Sequence, residues 1–294
     1  MTWRCSGVGW PPGARMAVLR WEGGRVSPLV AGKSLGFRAE GERECVGARG
    51  NVCPLRAVVP GRVTSARCGE CARLDRAHSV AADTIADDPR VYRVYLAWFG
   101  PGLVKVGITA EERGPARLLE QGAVVFGWLG RGPLMAARRT EELLRAALGI
   151  PDRIPYARKR AVRTRLPETA EERAAEIGEL HRAALALDGW AESLEPLGFE
   201  AVDHTGAFGL AGLPPAVSAV RELAGGGAVA GTLLAVAGPD LHLRTADGEV
   251  VVLDTRLMTG WSLVGAGPGE GVSVPTVPLE GVEAGGGGVQ DGLF

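Results

Sequence analysis

Four cysteines, Cys45, Cys53, Cys68 and Cys71, stand in the spacing C-x7-C-x14-C-x2-C. A C-x2-C pair can put two thiolates on one cation, and the wider pair can close a tetrahedron around it, a donor set that suits zinc. Four thiolates leave no coordination position open, so zinc here would be structural and would stabilise a fold rather than bind substrate. The first pair is looser than a usual zinc knuckle, which leaves unligated thiols as the alternative and redox chemistry as a third reading. Residues around the cysteines include almost no large apolar side chains, so hydrophobic burial alone would not hold them. His78 could replace one cysteine as a ligand, though a single histidine in a helix-forming segment is more simply a surface residue. Cys5 has no partner nearby and reads as a free thiol.

A second chemistry-bearing stretch runs from Val91 to Gly122: an apolar strand, a Gly-Pro-Gly turn, a strand ending in Lys105, Val106, Gly107, Ile108 and Thr109, then a helix carrying Arg117. Its pieces resemble the core of the GIY-YIG nuclease superfamily, in which two short strands each deliver a tyrosine-type motif and the next helix supplies an arginine. The resemblance implies roles for particular residues. Tyr95, in Val94-Tyr95-Leu96, takes the place of the first-motif tyrosine that activates water. Lys105, Val106 and Gly107 take the place of the second motif, with Lys105 where the family has tyrosine, as in its branches with a Lys-Ile-Gly-type motif. Arg117, with Arg113 as runner-up, would stabilise phosphate charge, and Glu141, with Glu142 second, would hold one divalent metal such as Mg²⁺. Neighbouring side chains on a helix point about 100° apart, so only one of the two glutamates can face a cleft. Phosphodiester cleavage develops negative charge on the phosphate and leaving oxygen, which is why an arginine and a hard cation lower the barrier and a hydrogen-bonding group must position water. Read without the resemblance, Tyr95 is a half-buried strand aromatic, Arg117 and Glu141 are surface helix charges, and Gly107 serves a turn.

More of the chain is similar to an uncharacterised bacterial family, a domain of unknown function in which a cysteine cluster precedes the pattern VYLA, GLVKVGIT, R and QGA. The match runs from about Cys45 to Gly122, with weaker similarity in the C-terminal sheet. It implies a zinc module beside a GIY-YIG-like domain and supplies no substrate.

The elements that must position these residues read as an α+β protein: a GIY-YIG-like small antiparallel sheet with flanking helices, a zinc-ribbon-like module before it and a small β module after it. Residues 1–44 read as a hairpin or small sheet broken at Glu22-Gly-Gly24, and 45–88 as the four-cysteine module closing with a short helix from Ala77 to Pro89. The GIY-YIG-like domain is expected over 89–165, with a third strand over 122–129 and a helix from Pro133 to Leu148 stopped by Gly149. A connecting helix over 166–190 starts at a capping box, Thr169 to Glu172, and carries Ile177, Leu180, Ala184 and Leu187 as one stripe. Residues 191–265 alternate short apolar runs with Gly-Pro-Asp and Asp-Gly-Glu turns, the pattern of a small antiparallel sheet. The Gly-rich, acidic segment 266–294 is expected to be disordered.

Composition bounds the function. The 294 residues are 46% hydrophobic, enough to bury a core and to form about two domains. A net charge of -1 argues against a surface that tracks nucleic acid everywhere. Charge is nonetheless uneven: from Arg138 to Arg165, nine Arg or Lys face Glu141, Glu142 and Asp152, a local excess of 9 − 3 = +6. That segment is either a solvated helix face and loop or a surface for phosphate backbones. Nucleic acid, DNA or RNA, is therefore the expected partner, either of a Mg-dependent nuclease or of a non-catalytic zinc-containing nucleic-acid-binding protein. No Walker or Rossmann glycine loop and no nucleophile triad is present, and His181, in mid-helix, is expected to face solvent. The N-terminus lacks the apolar centre of a signal peptide, and the uncharged run Leu223 to Pro239 is crowded with glycines, so a cytoplasmic protein without a membrane span is expected. A reducing compartment favours metal ligation over disulfides for the cysteines.

Overall fold

The computed structural model describes residues 2–11, 13, 16–77 and 88–279, and it is a mixed α+β architecture dominated by antiparallel sheets. The N-terminal part supplies β1 (Trp3–Gly9), β2 (Val18–Trp21), β3 (Val26–Pro28) and β4 (Ser34–Glu40), followed after the cysteine loops by α1 (Gly69–Ala77). The centre supplies β5 (Val91–Trp98), β6 (Val104–Ala110), α2 (Ala116–Gln121), β7 (Val125–Pro133), α3 (Leu134–Leu148), α4 (Tyr156–Val162) and α5 (Ala170–Leu185). Then come β8 (Glu195–Pro196), β9 (Val202–Asp203), α6 (Thr205–Phe208), β10 (Ser218–Val220), β11 (Ala228–Ala237), β12 (Asp240–Arg244), β13 (Val250–Asp254), α7 (Thr255–Met258), β14 (Ser262–Gly265) and β15 (Thr276–Pro278). The expected short helix Ala77 to Pro89, and His78 with it, falls largely outside the described residues.

The central strands form the smaller sheet in the order β6-β5-β7-β8, with β9 also on β7. β5 and β6 pair from Tyr92↔Ala110 to Trp98↔Val104 across a turn in which the Phe99 amide donates to the Leu103 carbonyl at 2.9 Å. β5 is buried on both faces because β6 and β7 flank it while helices cover it, so it reads as an almost unbroken apolar run. The expected connecting helix is α5, and it packs on this sheet rather than spanning a gap. Its capping box at Thr169 and Glu172 is present, and Ile177 and Ala184 are fully buried. Glu176 reaches back to accept from the Trp98 indole at 2.8 Å and from the Gly102 amide at 3.1 Å, which ties α5 to the Gly-Pro-Gly turn. His181 does not face solvent. It lies in line with Ile177 and Ala184, its Nε2 is 3.1 Å from the Trp128 carbonyl, and its ring packs on Phe199; burial lowers its pKa.

The strands expected in two separate β modules lie in one ten-stranded sheet, in the order β15-β10-β13-β12-β11-β4-β14-β1-β2-β3. β4 is inserted between β11 and β14, with Gly231↔Leu35 on one edge and Leu263↔Ala39 on the other. Local alternation specifies a strand and its faces, but not which distant edge will complete its hydrogen bonds. Part of the expected disordered segment also has structure: β15 pairs with β10, and Glu270 is ion-paired with Arg38. The remainder, 280–294, lies outside the described residues. The uncharged run Leu223 to Pro239 is mostly β11, and among the described residues no helix is long and apolar enough to cross a membrane.

The two sheets are joined by a buried ionic network. Asp240, fully buried at the start of β12, accepts from Arg163 at 2.6 Å and from Arg160 at 2.6 Å, both on or next to α4. Asp254, at the end of β13, accepts from Arg160 at 2.8 Å and from Arg256 at 2.6 Å. A third of the expected basic surface is therefore interior: Lys159 and Arg163 are buried and Arg160 nearly so, whereas Arg139, Arg145, Arg153, Arg158 and Arg165 are exposed. Burial pushes the Asp240 carboxyl up, but Arg163 and Arg160 outweigh it and hold it at about 2. A depressed folded-state pKa contributes stability above the unfolded value near 3.9, and that contribution is lost as pH falls toward about 2. Asp240→Asn should destabilise the protein by about 3–5 kcal/mol, because two guanidiniums lose a buried counter-charge. Urea titrations from pH 7 down to acid should show the gap between parent and variant closing below about pH 4; a gap that persists into acid would show that Asp240 is not held as the ionised partner.

Candidate functional site

The smaller sheet and the helices beside it bring the five expected catalytic residues, Tyr95, Lys105, Gly107, Arg117 and Glu141, to one place. Tyr95 on β5 lies opposite Gly107 on β6, and the two are Cα partners. A Cβ on Gly107 would lie 2.4 Å from the Tyr95 hydroxyl oxygen, so only glycine lets the phenol lie flat across the neighbouring strand. Lys105, two residues before Gly107 on the same strand, places its Nζ 5.7 Å from the centre of the Tyr95 ring and donates to the Asp152 carbonyl at 3.1 Å. Arg117 on α2 and Glu141 on α3 both lie close enough to act electrostatically on Tyr95 and on Lys105. Glu141 is half-buried and, among the described residues, its carboxylate has no hydrogen bond or ion pair, whereas Glu142 is exposed and paired with Arg145 at 2.9 Å. Arg113, the runner-up to Arg117, is bound to Glu120 at 2.7 Å, and Arg117 touches the same carboxylate only at 3.9 Å.

Burial sets the proton affinities of this cluster. It raises the Tyr95 pKa, which hydrogen bonding from Gln121 and the charge of Arg117 offset only in part, so the phenol keeps its proton at neutral pH. It lowers Lys105 to about 8, with Arg117 pushing the same way, so a neutral amine is accessible just above physiological pH. It also raises Glu141, a carboxyl whose charged form would be stabilised by a nearby cation.

Two residues of this site carry no sequence signal. Gln121, the last residue of α2, is buried, and its Nε2 donates to the Tyr95 hydroxyl oxygen at 2.9 Å. Lys159 on α4 is buried against the rings of Phe99 and Tyr156, 3.7 and 4.4 Å from their centres, and donates to the Gln121 carbonyl at 3.0 Å. Burial, reinforced by Lys105 and Arg163, lowers its pKa to about 6. A glutamine at a helix end and a lysine in a basic run look like surface residues in a sequence; only the packing of α4 onto α2 gives them an interior role.

The four expected metal ligands also converge. The Sγ atoms of Cys45, Cys53, Cys68 and Cys71 all lie within 4.8 Å of one another, and Cys53 and Cys68 are 3.9 Å apart. A tetrahedral zinc with Zn–S distances near 2.3 Å requires sulfurs roughly 3.8 Å apart, so the thiols fit such an ion. Backbone amides already point at the sulfurs: Gly47 and Cys68 donate to Cys45 at 3.4 and 3.2 Å. Amides of Ala57 and Leu55 pull the Cys53 thiol down to about 7, whereas burial and the adjacent cysteines push Cys71 up to about 12. Four clustered thiols cannot all ionise without a cation among them, and these residues could bind a metal such as zinc. Among the described residues the apolar side chains buried with them are Ala48 and Val59, with Ala57 beside them, too little apolar surface for a core. Cys5 lies apart, fully buried in the large sheet, where burial raises its pKa to about 11.

Residues 32–263 match the family described as protein of unknown function (DUF2797). The chain belongs to that family. No curated protein and no solved structure matches it. The DUF2797 match runs from just before β4 into β14, so it covers the cysteine module, the Tyr95 cluster and β12 and β13, and it leaves out β1 to β3 and β15.

The cysteine geometry predicts that the DUF2797 chain purified without chelator carries zinc at one atom per molecule, measured by atomic emission. Cys53→Ser and Cys71→Ser should each lose most of that zinc and lower the melting temperature, and a strong chelator should do the same to the parent protein. Full stability with no bound metal would refute the assignment.

Proposed function

We propose that this protein is a metal-dependent phosphodiester-cleaving enzyme of GIY-YIG type that acts on nucleic acid. The observation that carries the reading is the convergence of Tyr95, Lys105, Arg117 and Glu141, from two strands and two helices, around the gap left by Gly107. Arg117 is exposed enough to meet a phosphate and is only weakly engaged by Glu120, so its guanidinium can clamp charge that develops on the phosphoryl oxygens. Glu141 would hold Mg²⁺, which typically binds through one or two carboxylates and keeps waters, and the ion would supply Lewis-acid stabilisation of the same oxygens. Tyr95, its hydroxyl oxygen already accepting from Gln121, has its own proton free to orient the attacking water. Lys105, standing where the superfamily has a second tyrosine, is the group whose lowered pKa suits it to accept the water proton. The alternative, a zinc-containing protein that binds nucleic acid without cutting, loses part of its motivation because Lys159, Arg160 and Arg163 are spent on interior contacts.

Incubation with single-stranded and duplex DNA and RNA in the presence of Mg²⁺ should give cleavage. Arg117→Ala and Glu141→Gln should each slow it by about 100-fold or more. The parent rate should rise with pH and level off above about 8 as Lys105 loses its proton, and Lys105→Met should remove that limb along with most of the rate. Variants that cut as well as the parent would end this reading; salt-sensitive binding without cleavage under any metal would replace it with the alternative.

A further inference from the structure

Four parts of the chain meet at a cleft of about 520 Å³ that the catalytic reading does not use. β1 contributes Ser6 and, just past its end, Trp10; the cysteine module contributes Ser65 and Arg67; the α2 and α4 region contributes Glu120 and Tyr156; and α7 contributes Arg256. Its volume lies in the range of ligand sites.

The walls are rich in donors that are held in place. Arg67 is fixed by its Nε on the Gly47 carbonyl at 3.1 Å and by Asp75 at 3.3 Å. Arg256 is fixed by two hydrogen bonds to Asp254, at 2.9 and 2.6 Å, and lies over the Tyr156 ring, 4.1 Å from its centre. Among the described residues neither Nη1 has a hydrogen-bond partner, so each guanidinium keeps an edge for an anion in a preset orientation. Asp240 and Asp254 face Arg160, Arg163 and Arg256, and three positive charges against two negative ones leave one positive charge uncompensated behind the cleft wall. Glu120, the carboxylate on the opposite wall, is engaged by Arg113.

We infer that this cleft is a phosphate-binding subsite for a single-stranded segment of nucleic acid, with Arg67 and Arg256 on its phosphodiester oxygens. The inference rests on nucleic acid being the substrate, as proposed above. The position supports it: Glu120 lines the cleft while the next residue, Gln121, holds Tyr95, so a strand bound here leads toward the Tyr95 cluster along α2.

The test uses the full chain with Glu141→Gln as background, so that binding is read without cutting, and a short fluorescein-labelled single-stranded oligonucleotide, DNA or RNA, followed by anisotropy across a salt series. Adding Arg67→Met or Arg256→Met should weaken binding about tenfold and reduce the salt slope by about 1. Should Arg256→Met unfold the protein through its loss of Asp254, Arg67→Met decides. Affinity and slope equal to the background in Arg67→Met would overturn the inference, as would no binding at low salt. Cleavage by the parent with unimpaired cleft variants would remove the subsite and leave the nuclease; no cleavage by the parent with weakened cleft variants would do the reverse.

Discussion

Asp240 is the fixed point of the molecule. A carboxylate with no exposure to solvent is tolerated only where its charge is matched, and here Arg160 and Arg163 reach it from α4 and its C-terminal end. The same contact orients α4, which presents Lys159 to the Gln121 carbonyl, and Gln121 in turn holds the Tyr95 hydroxyl. Arg163 also donates to the Ala237 carbonyl at 3.1 Å, beside Gly238, where any side chain would strike the end of α2: a Cβ there would lie 2.8 Å from the Gly122 amide nitrogen. The hairpin between β11 and β12 is thus a backstop for the helix that carries Arg117. Geometry at Tyr95 depends on a carboxylate contributed by the larger sheet.

The cysteine module is fastened by a different device. Arg43 is 1% exposed and, among the described residues, has no carboxylate partner; its guanidinium donates to four carbonyls, those of Pro60 and Val63 in the module and of Arg256 and Thr259 around α7. Burial lowers its pKa to about 10, still far enough above neutrality for the charge to persist. One cation therefore satisfies carbonyls that loops would otherwise leave unpaired in the interior, and it fixes the module to the residue, Arg256, that also closes the Asp254 pair. The metal would order the loops internally, while Arg43 sets where they sit.

What could be read from the sequence was local. The β5 to β6 hairpin, the capping box at Thr169, the helix stopped at Gly149 and the grouping of four cysteines each depend on spacing over a few residues or on one ligand chemistry, and each is present in the fold. Partner choice over long separations was not legible. The alternation in Ser34–Glu40 looks the same whether the strand closes an N-terminal hairpin or, as it does, joins β11 to β14. Charges mislead for a related reason: Arg160 and Arg163 look like solvated helix residues because their counter-ions lie about 80 positions away in the chain. Gln121 and His181 belong to the same class, polar residues whose burial is decided by what packs over them.

The two candidate metal sites differ in a way that divides labour between them. Cys45, Cys53, Cys68 and Cys71 offer soft donors in a closed set, which suits zinc and leaves no position for a phosphate oxygen. On the reading proposed above, Glu141 would offer a single hard donor in a half-buried position, which would hold an oxygen-seeking cation only weakly until a substrate phosphate completed its shell. Lys105 acts on Glu141 against Asp152 and Glu142, so the carboxylate would not hold a lone divalent cation as firmly as one that enters with a phosphate. Metal and phosphate would then bind cooperatively at the Tyr95 cluster, whereas an ion on the four thiolates would not depend on substrate.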